Sequence, residues 1–164
     1  MVCCVTGHRP KGFPFSRNID STIYNEYLTK LETEVKRFIT DGYTHFITGM
    51  ADGADIDFAN SVIKFIDSGF SISLEAAIPY PIHTSHNVTE YSCERNRILK
   101  RCSKVTVASP YYHKGCMQIR NEYMVDNSDI VLAIWSGNET GETWNTIRYA
   151  RSKGKEIKYI MLNE

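Results

Sequence analysis

The sequence has no excess of charge of either sign and no long hydrophobic run. Lysine plus arginine and aspartate plus glutamate both number 19 in 164 residues, so the formal net charge is zero. A balanced chain lacks the general attraction to phosphates on which nucleic-acid binding rests, so nucleic acid is not the expected partner. No apolar run approaches the ~20 residues that cross a bilayer, which argues against a membrane partner.

Cysteines are few and show no pairing pattern. The five are odd in number and include no Cys-x-x-Cys pair, and the chain opens on a predicted strand rather than a secretory signal. We therefore expect a cytoplasmic protein in which Cys3 and Cys4 pack as small hydrophobic side chains. His83 and His86 lack a helical frame that would align them, so they are interpreted as surface-loop residues and no metal site is predicted.

Two common catalytic motifs are also missing from the chain. The G-x-x-x-x-G-K-[ST] loop and the G-x-S-x-G elbow are both absent, which counts against an ordinary NTPase or acyl hydrolase. The length and the 42% hydrophobic content suit one globular domain over residues 1–164.

Short apolar strands alternate with amphipathic helices along the whole chain. Strands are predicted at residues 2–6, 45–48, 73–78, 104–108, 129–135 and 157–162, and helices at residues 20–40, 53–67, 87–102, 117–127 and up to 151. This order predicts an α/β fold: a Rossmann-like, doubly wound, mainly parallel sheet with helices on both faces. Ligands of such sheets bind at the carboxyl ends of the strands.

The first predicted helix has an apolar stripe and a capping residue at its start. Asp20 or Ser21 is placed to cap it. The residues that keep helical spacing, and are predicted to face the core, are Ile23, Tyr27, Leu31, Val35 and Phe38.

Three glycine-bearing turns follow strands and therefore fall on one edge of the predicted sheet. They occupy residues 7–9, 49–55 and 136–143. Such turns gather backbone amides at helix N-termini, where the dipole favours an anion, and glycine lets a ligand approach closely. A charge-assisted hydrogen bond contributes roughly 1.5–3 kcal/mol, whereas association costs about 4–15 kcal/mol. A small ligand therefore needs all three turns together.

The predicted pocket contains one forked cation and a group of acids. Arg9 suits a phosphate, and the amides of residues 49–53 are predicted to hold the same anion. Asp52, Asp55 and Asp57 crowd the start of the second helix. In one interpretation Asp52 caps that helix and the others suit its dipole. In the other, one carboxylate accepts a ribose hydroxyl or holds Mg²⁺ against a phosphate.

Four segments together resemble the YpsA-like branch of the SLOG superfamily, which joins the DNA-processing protein DprA (Smf) with the LOG phosphoribohydrolases. The segments are residues 6–10, 49–55, 120–129 and 141–143, in order along nearly the whole chain. The resemblance implies a Rossmannoid fold and a pocket for a nucleotide or an ADP-ribose-like derivative. It also implies that many single-domain members are ligand sensors.

The turns and the resemblance together define a predicted ligand site. Its members are Gly7, His8, Arg9, Gly49, Met50, Ala51, Asp52, Gly53, Asp55, Pro79, Arg120, Asn121, Gly137, Gly141 and Thr143. LOG enzymes carry a Gly-Thr-x-x-Glu turn whose glutamate acts in N-glycosidic cleavage. Thr143 matches that turn, but Thr146 stands where the glutamate belongs, so the catalytic residues stay unassigned, with Asp55 and Glu142 as weak candidates.

We therefore predict a cytosolic sensor of a nucleotide-like small molecule, compatible with self-association. One alternative is a LOG-like phosphoribohydrolase acting on nucleoside monophosphates. The other is a DprA-like binder of single-stranded DNA, for which the basic helix residues Arg95, Arg97, Lys100 and Arg101 are the credible patch. The aromatic residues near strand ends, which are interpreted as core rather than as base-stacking platforms, are Tyr111, Tyr112 and Trp135.

Overall fold

The computed structural model describes residues 1–81 and 90–163, and within these ranges six strands and five α-helices alternate. The strands are β1 (Val2–Gly7), β2 (His45–Thr48), β3 (Ser73–Ile78), β4 (Lys104–Val107), β5 (Ile130–Trp135) and β6 (Glu156–Met161). The helices are α1 (Thr22–Thr40), α2 (Ala54–Asp67), α3 (Glu90–Leu99), α4 (Cys116–Asp126) and α5 (Gly141–Ser152).

All strand pairs in the sheet are parallel, in the order β4-β3-β2-β1-β5-β6. Helix α2 packs against both α1 and α3, and α4 packs against α5. The α/β Rossmann-like fold predicted from the alternation of elements is therefore confirmed.

Strand order reverses at β1, which lies between β2 and β5. The last residue of β1, Gly7, is in register with Ile134 near the end of β5. The loops that follow these two strands therefore flank the switch point, where open α/β sheets bind their ligands.

Strands β1 and β5 form the buried centre of the sheet. Cys3 and Cys4 are 0% and 1% exposed, which confirms that they pack as small hydrophobic side chains. Burial raises the pKa of the Cys4 thiol to about 12, so this thiol stays protonated and unreactive.

Helix α1 begins as predicted but turns a different side chain into the core. Ser21 Oγ accepts a hydrogen bond from the Tyr24 amide at 3.4 Å, as expected of an N-cap. The placement of Ile23 in the core is wrong, because this side chain is 56% exposed and Tyr24 is buried instead. The Tyr24 hydroxyl donates to Asp57 of α2 at 2.9 Å. Because this acceptor lies outside α1, the sequence of α1 alone does not predict that Tyr24 is buried.

Several element boundaries differ slightly from the predicted ones. Strand β5 begins at Ile130, one residue later than predicted, and α3 ends at Leu99 rather than at residue 102. The predicted loop residues His83 and His86 lie outside the described residues. No helix within residues 1–81 and 90–163 is both long and apolar enough to cross a membrane.

Candidate functional site

A cleft of about 220 Å³, called here the outer cleft, opens at the carboxyl edge of the sheet. Its lining residues are Arg9, Gly49, Met50, Ala51, Pro79, Tyr80, Arg95, Met117 and Arg120. Among the described residues around this cleft there are three arginines and no acid. The outer cleft is therefore suited to an anion.

A second, much smaller space of about 20 Å³, called here the inner recess, lies at the switch point and has room for about one water molecule. Its lining residues are Val5, Thr6, Gly7, Arg9, Ala51, Asp55, Arg120, Asn121, Glu142 and Thr143. Residues from all three predicted turns border it. Arg9, Ala51 and Arg120 line both spaces, so the recess adjoins the outer cleft.

The buried Arg120 side chain forms the wall between the two spaces. It is 3% exposed; its guanidinium donates to the Gly49 carbonyl, and its Nε donates to Asn121 Oδ1 at 2.7 Å. A Cβ atom on Gly49 would overlap Arg120 and lie 2.6 Å from Asp55 Oδ2. Glycine at this position is therefore what allows the guanidinium and the carboxylate to approach the turn.

Asp55 is a buried carboxylate that points back to its own turn. Its Oδ2 accepts a hydrogen bond from the Ala51 amide at 3.3 Å. Burial raises the pKa of Asp55, whereas the charge of Arg120 and the Ala51 amide lower it, and the net pKa lies above the usual value. The Ala51 amide therefore holds Asp55 Oδ2 against its own turn.

Several backbone amides of the second turn donate to acceptors of the protein itself. Besides the Ala51 amide, the Met50 amide donates to Thr48 Oγ1 at 3.3 Å and the Ala54 amide donates to the His8 carbonyl at 3.1 Å. Met50 holds this turn with a positive φ of 58°, a conformation that costs energy outside glycine. The guanidinium groups of Arg9, Arg95 and Arg120 line the outer cleft beside this turn.

The long loop after β1 is pinned to α2 by a buried ion pair. Arg17 Nη2 lies 2.7 Å from Asp57 Oδ1, and the same guanidinium lies 3.6 Å from Asp52 Oδ1. The prediction that Asp52 caps α2 is wrong, because the N-cap is Gly53 and no side chain caps the helix. Asp52 faces Arg17 instead and lines neither the outer cleft nor the inner recess.

His8 ties the first turn to the third rather than facing the cleft. Its Nε2 accepts a hydrogen bond from the Ser136 amide at 3.1 Å and lies 2.9 Å from Ser136 Oγ. Burial lowers the pKa of His8, which favours the neutral ring. Gly137 and Gly141 lie in the same region of the third turn without lining either space.

Sequence reasoning missed part of the cleft wall. Tyr80 and Met117 carry no motif, and Arg95 was assigned to a nucleic-acid patch. Two other arginines of that basic face are paired with acids: Arg97 lies 3.8 Å from Glu94, and Arg101 pairs with Asp67. The face therefore presents less positive charge than its sequence suggests.

The three aromatic residues near strand ends divide into two kinds. Trp135 is buried and stacks on Trp144 with ring centroids 5.4 Å apart, as expected for core. Tyr111 and Tyr112 are each 68% exposed, so their assignment to the core is wrong. Both follow β4, a strand whose own residues remain largely exposed.

Gly53 is the closest contact between the first two turns, and its replacement tests that contact. It has a φ of 102°, and a Cβ atom there would overlap the His8 carbonyl and lie 3.0 Å from Arg9 Cα. Gly69 has a similar φ of 89° but nothing within 4 Å of such an atom. We expect Gly53→Ala to destabilise the protein by about 1–3 kcal/mol more than Gly69→Ala. Alanine is strained by the positive φ at both positions, but only at position 53 does its Cβ atom overlap neighbouring atoms.

Urea denaturation of the two variants measures this difference. Gly69→Ala shares the positive φ, whereas Gly53 also has a ψ of −128°, in a region open mainly to glycine, so the difference in stability includes this backbone cost as well. Equal losses of stability would show that the contact between Gly53 and the first turn contributes nothing.

Comparison with known proteins places this geometry in a family. The family model described as the YspA SLOG family (YpsA) matches residues 3–163. The chain belongs to this family. No curated protein matches it significantly.

Among solved structures, DNA processing protein A from Helicobacter pylori, described for its single-stranded DNA binding mode, resembles this SLOG chain with a TM-score of 0.63 and 14% identity. The match covers 97% of this chain and 64% of that one, so the chain spans less than two thirds of its neighbour's length. At this identity the likeness shows the fold.

The SLOG chain departs from LOG enzymes at the third turn. Thr146, which stands where LOG enzymes carry glutamate, is 3% exposed, and its hydroxyl donates to the Glu142 carbonyl at 3.0 Å. Within residues 1–81 and 90–163, no group of three or more His, Cys, Asp or Glu side chains is arranged to hold a metal ion.

Proposed function

We propose that the protein binds an anionic nucleotide or nucleotide derivative in the outer cleft and serves as a sensor of that ligand. The observation that carries this proposal is the meeting of Arg9, Arg95 and Arg120 around a cleft without acidic lining residues, beside the switch point of the sheet. Arginine is the side chain best suited to phosphate, because its fork donates two parallel hydrogen bonds.

The remaining walls of the outer cleft suit a nucleobase. Met50, Pro79, Tyr80 and Met117 supply apolar and aromatic surface next to the guanidinium groups. Ligand pockets combine such surface with a few polar groups that fix orientation. A volume of about 220 Å³ is below the roughly 300–1,000 Å³ of enclosed drug-sized pockets, so part of the ligand stays in solvent.

Sensing accounts for the third turn better than hydrolysis does. Thr146 replaces the glutamate of the LOG turn, and Asp55 is engaged by the Ala51 amide. A role as a single-stranded DNA binder is supported by the DprA neighbour alone, whereas Arg97 of α3 and Arg101, just after this helix, are paired with acids. A small anionic ligand needs no extended basic surface.

Replacing Arg9 with alanine tests the proposal. We expect the affinity for adenosine 5′-monophosphate or ADP-ribose, measured by titration calorimetry, to fall at least about tenfold, because a charge-assisted hydrogen bond contributes roughly 1.5–3 kcal/mol. Arg37→Ala is the matched control, since both side chains are more than half exposed and both lie near a carboxylate.

Each outcome of that titration has a clear meaning. Equal affinity in Arg9→Ala and the wild type would remove Arg9 from the site. Release of free base from the nucleotide, detected by chromatography, would instead favour a phosphoribohydrolase. Tighter and salt-dependent binding of single-stranded DNA would favour the DprA-like alternative.

A further inference from the structure

An ion pair between Arg9 and Glu142 spans the inner recess. Arg9 Nη2, from the loop after β1, lies 3.7 Å from Glu142 Oε2, in the first turn of α5. Both side chains line the recess, which holds about 20 Å³, far less than the adjoining outer cleft. The space at the switch point is therefore nearly closed, and the Arg9–Glu142 pair links the loop after β1 to α5.

The four charged side chains of the recess differ in how firmly they are held. Arg120 and Asp55 are 3% and 6% exposed and are hydrogen-bonded to the second turn. The Arg9 and Glu142 side chains are 53% and 57% exposed, and 3.7 Å is long for an ion pair. Exposed pairs of this kind contribute little to stability, so the Arg9–Glu142 pair separates at small cost.

We propose that Glu142 is an internal competitor that sets the affinity of the site for anions: its carboxylate occupies the anion position on Arg9 until a ligand phosphate displaces it. This inference rests on the proposed function of the outer cleft. A phosphate carries more negative charge than a carboxylate and offers three acceptor oxygens, so it competes for the guanidinium fork. A neutral nucleoside brings no charge to Arg9 and leaves the pair in place.

Displacement of Glu142 also enlarges the site. Because Arg9, Ala51 and Arg120 line both spaces, separation of Arg9 from Glu142 joins the recess to the outer cleft. The ligand phosphate then reaches Thr143 and Asn121, which the closed recess contains. Glu142 thus competes with the phosphate of a ligand for Arg9, which weakens the binding of phosphorylated ligands and leaves that of neutral ones unchanged.

Glu142→Gln separates this role from a general charge effect. We expect it to bind adenosine 5′-monophosphate about two- to fivefold more tightly than the wild type, with no change for adenosine. Glu139→Gln is the matched control, because it removes the same charge from an exposed residue of the same turn that forms no ion pair with the described residues. In an Arg9→Ala background, Glu142→Gln should give no gain.

The possible results are distinct. Unchanged affinity in Glu142→Gln, or an equal gain in Glu139→Gln, would overturn the inference while leaving the proposed function intact. Weaker binding in Glu142→Gln would also overturn it and would make Glu142 a direct ligand contact. If neither the wild type nor Glu142→Gln binds adenosine 5′-monophosphate, the proposed function fails and the role of Glu142 falls with it.

Discussion

Asp57→Ala is expected to lower the free energy of unfolding by about 3 kcal/mol, because it removes the closer of the two carboxylates that face the largely buried Arg17 guanidinium. The Asp57 side chain is 4% exposed, and the Arg17 guanidinium that contacts it at 2.7 Å is 17% exposed. The Tyr24 hydroxyl loses its acceptor on Asp57 as well. Urea denaturation, with the midpoint and slope both recorded, measures the loss.

An exposed ion pair between the same helical layers supplies the control. Lys64 Nζ lies 2.6 Å from Glu32 Oε2 and joins α2 to α1, but these side chains are 61% and 36% exposed. Glu32→Ala should therefore cost no more than about 1 kcal/mol. If Asp57→Ala costs no more than Glu32→Ala, the buried pair does not hold the loop to α2.

The double variant Arg17→Ala with Asp57→Ala refines this prediction. Removing both charges avoids a stranded buried ion, so the double variant should lose less stability than the sum of the two single variants. Because Arg17 also lies near the Phe13 and Tyr24 rings, with its Cζ 5.3 and 5.7 Å from their centroids, some packing is lost in either case.

The fold could be predicted because its signals are local in the sequence. Strand β5 is a continuous apolar run and β1 nearly so, and glycine follows both, so their lengths and ends are written in neighbouring residues. The position of the site at the carboxyl edge then follows from the parallel sheet. Neither feature depends on which side chains are in contact in the folded protein.

The details of the site could not be predicted, because they depend on residues far apart in the chain. Whether Asp52 caps α2 is decided by Arg17, and whether Ile23 or Tyr24 enters the core is decided by Asp57. The Met50, Ala51 and Ala54 amides of the second turn donate to a hydroxyl, a carboxylate and a carbonyl of the first turn. Tyr80 lines the cleft because it follows β3, which lies next to β2 in the sheet, and it belongs to no recognisable motif.

Glu75→Gln is expected to destabilise the protein by about 3 kcal/mol at pH 7. Glu75 lies in β3 and is 2% exposed, with His45 Nε2 2.8 Å from its Oε2. Its Oε1 accepts hydrogen bonds from the Thr106 hydroxyl at 2.7 Å and the Tyr123 hydroxyl at 2.6 Å, and Lys104 Nζ lies 3.2 Å away. A glutamine here brings an amide donor into a set of donors and leaves at least one of them unsatisfied.

The magnitude and its pH dependence follow from the pKa of this carboxyl group. Burial by itself raises the pKa of Glu75, but the hydrogen bonds from Thr106, Tyr123 and His45 outweigh burial and lower the pKa from its usual 4.5 to about 2. A carboxyl group with a depressed folded-state pKa stabilises the fold fully above the unfolded-state value. That stabilisation declines as the pH falls below 4.5 and is lost once the pH passes below about 2.

The difference in unfolding free energy between the wild type and Glu75→Gln should therefore be largest at pH 7 and shrink between pH 4.5 and 2. Urea denaturation at pH 7, 5, 4 and 3 measures it, and Glu26→Gln, on the exposed face of α1, corrects for the general loss of stability in acid. A difference that stays constant down to pH 3 would mean that packing, rather than the ionised carboxylate, makes Glu75 stabilising. Because Lys104 and Tyr123 bring β4 and α4 to this carboxylate, its neutralisation should loosen the β4 edge before the β1–β5 centre.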